Sequence, residues 1–425
     1  MTEVWLGLLL GGACIAVTWR TRDLFNPVNI VSVGFFANLI LARLKLTPLQ
    51  RVTWAPETEA VLLQAWLLWL LYPTLVLLLA PRPRRWLVER LASKSFSHQW
   101  LARATALLVI GLFLLENTIE SGVPLPMLRP EIDVHVATTP GLGLMISSLS
   151  AAVTLVLVVA YARHRSRWDL MLTVVLVALP LTRLGRLEMV TSLVAALTLY
   201  YYLAIRSTWR YTLALTLAVA VLVPALLGVS YYRGSQGGVY IFTYSRDFAF
   251  NSSGPLVEAG AYYYGYMVLG FDSLDGLVRG TTRADRTFGA YTLRPLTLGA
   301  LRLHNFVDDY PMGQYLAERS DPALRAEVIA TALSYFYLDF GAELIAVPLF
   351  LYMSLILAVY LLKRDSVILT AAYCLMAGAL ALTSFTDLLS GVSLYYGIIF
   401  CSLILGINLS AFRISRTRGL VAILR

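Results

Sequence analysis

Charge is scarce in this sequence. Only 14% of its 425 residues are Asp, Glu, Lys or Arg, while 58% are hydrophobic and the mean hydropathy is +0.71. Soluble globular domains carry about 25% charged residues, so the soluble classes are excluded and a polytopic membrane protein remains. Cysteine is almost as rare. Cys14, Cys374 and Cys401 all fall within apolar runs and read as small buried hydrophobes, not as a disulfide framework or a metal cluster. Also missing are a basic segment ahead of the first apolar run, Val4 to Trp19, and a small-residue cleavage site behind it, so that run reads as a span and not a removable signal. The chain has no glycine-rich phosphate loop, no nucleophile motif, and no His and carboxylate groups at metal-ligating spacing. No metal and no cofactor are expected.

Apolar runs near residues 4–19, 28–42, 60–80, 104–117, 141–162, 170–182, 187–205, 211–229, 342–361, 366–386 and 392–411 predict about eleven transmembrane helices. The fold class is therefore all-α, a polytopic bundle with a large extracytoplasmic loop. Three regions follow: residues 1–229 as an N-terminal bundle of about eight helices, 230–340 as a large outer loop with interfacial helices, and 341–425 as about three C-terminal helices.

Alternate connections hold 19 basic residues against four acidic ones, a net charge of +15. Positive charge accumulates in cytoplasmic loops, so this face is inside and the opposite face, at −6, is outside. The N-terminus then lies outside and the C-terminus inside. The whole-chain charge of +9 follows from this topology, and no nucleic-acid partner is expected.

Asn26-Pro27 opens the second helix, where the missing proline N–H costs nothing. Residues 82–103 mix arginines with Trp86, Leu87, Leu91 and Trp100, as an amphipathic helix on an anionic leaflet would. Membrane lipids are thus one class of partner. The stretch 116–140 reads as a solvated acidic loop broken by Pro124, Pro126 and Pro130.

Two outer elements carry candidate chemistry. The short turn Leu181 to Glu188 places Arg183 and Arg186 at outer helix ends, against the positive-inside trend. They are either snorkelling side chains or an anion clamp at the membrane surface. The polar stretch from Ser230 to Asp339 holds nine arginines and no lysine up to Glu327, and the guanidinium fork suits bidentate phosphate binding. Arg233, Arg246, Arg279 and Arg283 belong to this set. Tyr262-Tyr263-Tyr264-Gly265-Tyr266 lies in a stretch too polar to span easily, read as interfacial or re-entrant. Acid–base candidates follow: His304, Asp308, Asp309 and Asp339, with Glu343 beyond. Asp339 is either a functional carboxylate at the mouth of a membrane helix or an N-cap.

Many spans, the large outer loop, Gly185-Arg186, Phe288-Gly289-Ala290-Tyr291-Thr292-Leu293-Arg294-Pro295 and Tyr337-Leu338-Asp339-Phe340-Gly341 together resemble the bacterial oligosaccharide repeat-unit polymerases. These are the Wzy-type O-antigen and exopolysaccharide polymerases. The resemblance covers nearly the whole chain in architecture, on short motifs, and Val328-Ile329-Ala330 departs from it where an Asn is expected before Thr331.

It implies a GT-C type membrane glycosyltransferase in the bacterial inner membrane, active at the periplasmic face. The enzyme would transfer a growing glycan from undecaprenyl pyrophosphate to a lipid-linked repeat unit, with a chain-length regulator protein as a further partner. Arg186 and Arg233, then Arg246, Arg279 and Arg283, would hold the pyrophosphate. Asp339, His304, Asp308 or Asp309 would supply the base. The alternatives are an O-antigen ligase and a lipid-linked oligosaccharide flippase or transporter.

Overall fold

A computed structural model describes residues 2–46, 50, 53–80, 99–125, 142–183, 186–204, 255–281, 286–287, 289, 291–292, 331–363, 366–384, 386, 388–389, 391 and 393–407. Among these residues the regular structure is helical throughout, and the protein is an all-α membrane protein. Val4–Thr21, Pro56–Leu79, Gln99–Ser121 and Leu142–His164 are long and apolar enough to cross a bilayer. A fifth span arises if the bent pair Ala332–Leu344 and Ala346–Leu362 counts as one. The helices Pro27–Arg43, Glu188–Leu203, Val367–Leu380 and Ser393–Ile407 are apolar but shorter. The run predicted at 211–229 and most of the amphipathic segment 82–103 lie outside the described residues.

The chain forms two compact units, each assembled from separate stretches, so they cut across the three regions drawn from the sequence. The first comprises residues 1–82, 212–357 and 379–391, and the second 83–211, 358–378 and 392–425.

In the first unit, α1 (Thr2–Thr21) packs against α2 (Pro27–Arg43) and α3 (Pro56–Leu79), while α8 (Pro255–Gly280) lies against α2, α3 and α9 (Ala332–Leu344). Asn26 caps α2 through its side chain, with Pro27 next, as the sequence suggested. Both α2 and α3 widen into a π turn, at Ser32–Phe36 and at Trp66–Leu71. The extra residue in each turn sets Phe35, Phe36, Trp66 and Trp69 into one aromatic core with Phe271 and Phe336. Gly34 backs onto the Ala381 backbone with no room for a β-carbon. There Ser384 donates to the Gly34 carbonyl at 2.6 Å and accepts from Asn38 at 2.8 Å. Thr383 and Ser384 are thus buried, and Ser384 is tied to α2.

In the second unit, α5 (Leu142–His164) is buried on nearly every side along residues 152–160 and forms the centre, as a helix apolar all round should. Around it pack α4 (Gln99–Ser121), α6 (Arg167–Ala178) and α7 (Arg186–Ala204). The turns of α4 run past the predicted loop start, so Glu116 and Glu120 are helical and Glu116 is buried, not part of a solvated acidic loop. Chain segments of α10 (Ala346–Leu362) and α11 (Val367–Leu380), and α12 (Ser393–Ile407), complete this unit.

Candidate functional site

A polar cluster of the first unit gathers where α9 gives way to α10. The two helix axes turn through 119°. The turn is made at Gly341, with φ 64° and ψ −179°, a region that only glycine occupies readily. Asp339 sits in the last turn before this break. Residue Thr331, not Asp339, stands at the N-cap of α9, so the N-cap alternative for Asp339 is corrected.

What Asp339 caps is a segment distant in sequence. Its carboxylate is fully buried and accepts from Thr287 Oγ1 at 2.5 Å, the Thr292 N–H at 2.6 Å and the Tyr291 N–H at 3.3 Å. The Thr287 N–H donates to the Leu338 carbonyl at 3.1 Å, and the Tyr352 hydroxyl to the Thr292 carbonyl at 2.7 Å. Residues 286, 287, 291 and 292 are thereby fastened across the break as a short strap. Both oxygens of Asp339 are occupied as acceptors, which suits an anchor; to take a proton from a substrate it would have to exchange one of these partners.

The strap delivers Arg286 to the break. Its guanidinium pairs with Glu343 at 2.5 Å and lies over Gly341, occupying the place of a side chain. One turn earlier on α9, the Tyr337 hydroxyl donates to Glu57 Oε1 at 3.0 Å, in the first turn of α3.

The C-terminal half of α8 completes the cluster. Asp272 and Asp275 share a face at i, i+3 spacing and are both fully buried. Asp275 accepts from the Ala55 N–H at 2.6 Å and Thr58 Oγ1 at 2.8 Å, so α8 caps the start of α3 with a side chain in trans. Its other oxygen accepts from Arg279 Nε at 2.7 Å. Asp272 accepts from Trp54 Nε1 at 2.8 Å and stands 3.5 Å from Lys45 Nζ. The Lys45 ammonium sits 3.8 Å from the Trp54 ring centroid, and burial pushes its pKa below the usual lysine range, against the opposing pull of Asp272 and Asp275.

Of the residues singled out from sequence, Asp339, Glu343 and Arg279 are in this cluster. Arg279 is committed to Asp275 and, through Nη2, to the Thr53 carbonyl at 3.1 Å. Arg186 is the first residue of α7; its side chain and residues Arg233, Arg246, Arg283, His304, Asp308 and Asp309 lie outside the described residues. Sequence reading passed over Lys45, Glu57, Asp272 and Asp275. The signal for the last two was present, since acids three apart on a helix of a charge-poor chain need partners.

Among the described residues the cluster holds Glu57, Glu59, Asp272, Asp275, Asp339 and Glu343 against Arg43, Lys45, Arg279 and Arg286, and three of the arginines are paired with carboxylates. Such a site can orient a polyhydroxylated ligand through carboxylates and hydroxyls. Binding a pyrophosphate would call on further cations or on release of Arg286 from Glu343. No family model, no curated protein and no solved structure matches the chain.

Proposed function

We propose that the protein is a polysaccharide polymerase of the bacterial inner membrane, with about eleven spans and a GT-C type architecture. It moves a growing glycan from undecaprenyl pyrophosphate onto a lipid-linked repeat unit at the periplasmic face. One observation carries this reading. The two outer-loop motifs behind the family resemblance, Phe288 to Pro295 and Tyr337 to Gly341, are far apart in sequence, yet Asp339 of the second accepts from the Tyr291 and Thr292 N–H groups of the first. Fastening a loop to a broken helix is how a fixed constellation is built at a membrane surface, where irregular backbone must be covered by protein.

The chemistry asks for cations that meet the charge growing on the departing pyrophosphate, and for a group that takes the acceptor hydroxyl proton. Arginines of the outer loop, with Arg186, supply the first. For the second, the candidates are His304, Asp308 and Asp309, together with Asp339, whose present bonds make it the anchor of the strap.

A transporter of lipid-linked oligosaccharides is the second reading, favoured by the broken helix pair itself, since discontinuous helices line transporter sites. Purified protein in proteoliposomes, supplied with lipid-pyrophosphate repeat units and no nucleotide, separates the two. The polymerase lengthens the glycan, with and without a chelator. Transbilayer movement of unchanged single units overturns the polymerase reading.

A further inference from the structure

The end of the second unit formed by the α5–α6 turn treats its cations differently from the site above. Arg103 there is neutralised: its Nε donates to the buried Asp169 at 2.7 Å, and Gln99 donates to the other oxygen at 2.6 Å. Arg163, Arg165 and Arg167 follow one another on alternate positions of the same turn. Arg165 is held by π faces and a hydroxyl: it donates to the Tyr200 hydroxyl at 2.8 Å and lies 5.7 and 5.9 Å from the centroids of Tyr161 and Tyr200, whose rings stack on each other. Bedding on aromatic faces fixes a cation without cancelling its charge.

The backbone is committed to this arrangement as well. Arg165 has φ 54°, the left-handed conformation that ends a helix and that glycine or asparagine normally takes; its N–H closes on the Tyr161 carbonyl at 2.9 Å. Depth is marked independently. Trp100 and Trp168, each the second residue of its helix at this end, are 66% and 63% exposed, and exposed tryptophans of membrane helices gather at headgroup level.

We propose that this end of the second unit is a binding surface for an anionic phospholipid headgroup, with Arg163, Arg165 and Arg167 addressing its phosphate while Trp100 and Trp168 flank it at the interface. The surface is independent of the polymerase reading. An adjacent cation, Lys363, is excluded from the surface because only 6% of it is exposed and it is enclosed by the rings of Tyr202, Tyr360 and Tyr373 at 3.8, 3.7 and 4.5 Å. It ties α7, α10 and α11 together instead.

The test uses full-length protein in mild detergent, exchanged into an equimolar mixture of phosphatidylglycerol and phosphatidylcholine, with retained lipid counted by native mass spectrometry. Wild type should retain phosphatidylglycerol preferentially, and R163Q/R165Q/R167Q should lower that preference by roughly tenfold or more. R163K/R165K/R167K, which keeps the charge, should hold it within about threefold. Without any variant, the wild-type preference should fall as sodium chloride is raised, since exposed charges are screened. Equal retention of the two lipids by wild type, a preference insensitive to salt, or displacement by millimolar inorganic phosphate without loss from the glutamine variant would each overturn the proposal.

Discussion

Arg286 fills the space that a side chain on Gly341 would need. Its Cζ and Nε lie 2.5 and 2.7 Å from the point where a β-carbon would stand, so glycine is required at this position twice over, by backbone angle and by the guanidinium resting on it. The same contact holds Arg286 against Glu343 at the break between α9 and α10.

Gly341→Ala should therefore act locally and strongly. The φ/ψ pair costs on the order of 1–3 kcal/mol for a residue with a β-carbon, and Arg286 must leave its place as well. Arg286→Ala in the same background removes the collision but not the backbone strain. Thermal unfolding should thus show G341A destabilised by several degrees and G341A/R286A partly recovered. Equal melting temperatures for wild type and G341A would contradict the geometry.

Asp339→Asn is a poorer probe than its size suggests. An amide has one acceptor oxygen, and its NH2 group would meet a backbone N–H donor against donor in either orientation, Thr292 on one side or Tyr291 on the other, with the Thr287 hydroxyl alone able to turn and accept. Some loss of function in D339N is therefore expected from a loosened strap, whatever the residue's part in proton transfer. Thr287→Val removes one of the three bonds and leaves the carboxylate. If Asp339 anchors the strap, T287V should lower glycan transfer roughly 3- to 30-fold and expose residues 286–292 to limited proteolysis. Full transfer by T287V beside an inactive but proteolytically unchanged D339N would assign Asp339 to proton transfer.

Lys45 offers a pH-dependent readout. Burial holds its pKa below the ordinary lysine value of 10.5, so the folded state binds fewer protons than the unfolded one as pH rises through the interval between the folded pKa and 10.5. Stability gains from this group across that interval, as pH rises, and is flat well below it. The rate of Lys45 acylation by a small anhydride, followed peptide by peptide in native protein, should reach half-maximum below pH 10.5. A midpoint at or above 10.5 would show that the Asp272 pairing outweighs burial.

The membrane class was legible because apolar length is a local property, and helices stand at ten of the eleven predicted apolar runs, four or five of them long enough to cross a bilayer. What was not legible depended on partners distant in sequence. Asp339 and Gly341 were noticed as a motif, but no local rule says that the carboxylate serves residues 287–292. Glu116 was assigned to a loop because prolines follow it, whereas the buried run of α4 carries the helix on to Ser121. Ser384 lies near the end of the apolar run 366–386, and nothing nearby in sequence reveals the Gly34 carbonyl it meets. The partners of Asp272 and Asp275 were not legible because Trp54, Ala55 and Thr58 stand 217 to 220 residues away in sequence.

The π turns in α2 and α3 have a genetic corollary. Each is in effect a single residue inserted into a helix, so deleting one codon within Ser32–Phe36 or Trp66–Leu71 would restore a better hydrogen-bonded α-helix while turning everything beyond it by about 100°. In α2 that rotation would swing Asn38 away from Ser384. An in-frame deletion scan should find these stretches among the least tolerant of the chain, although local helix propensity would favour the shorter sequence.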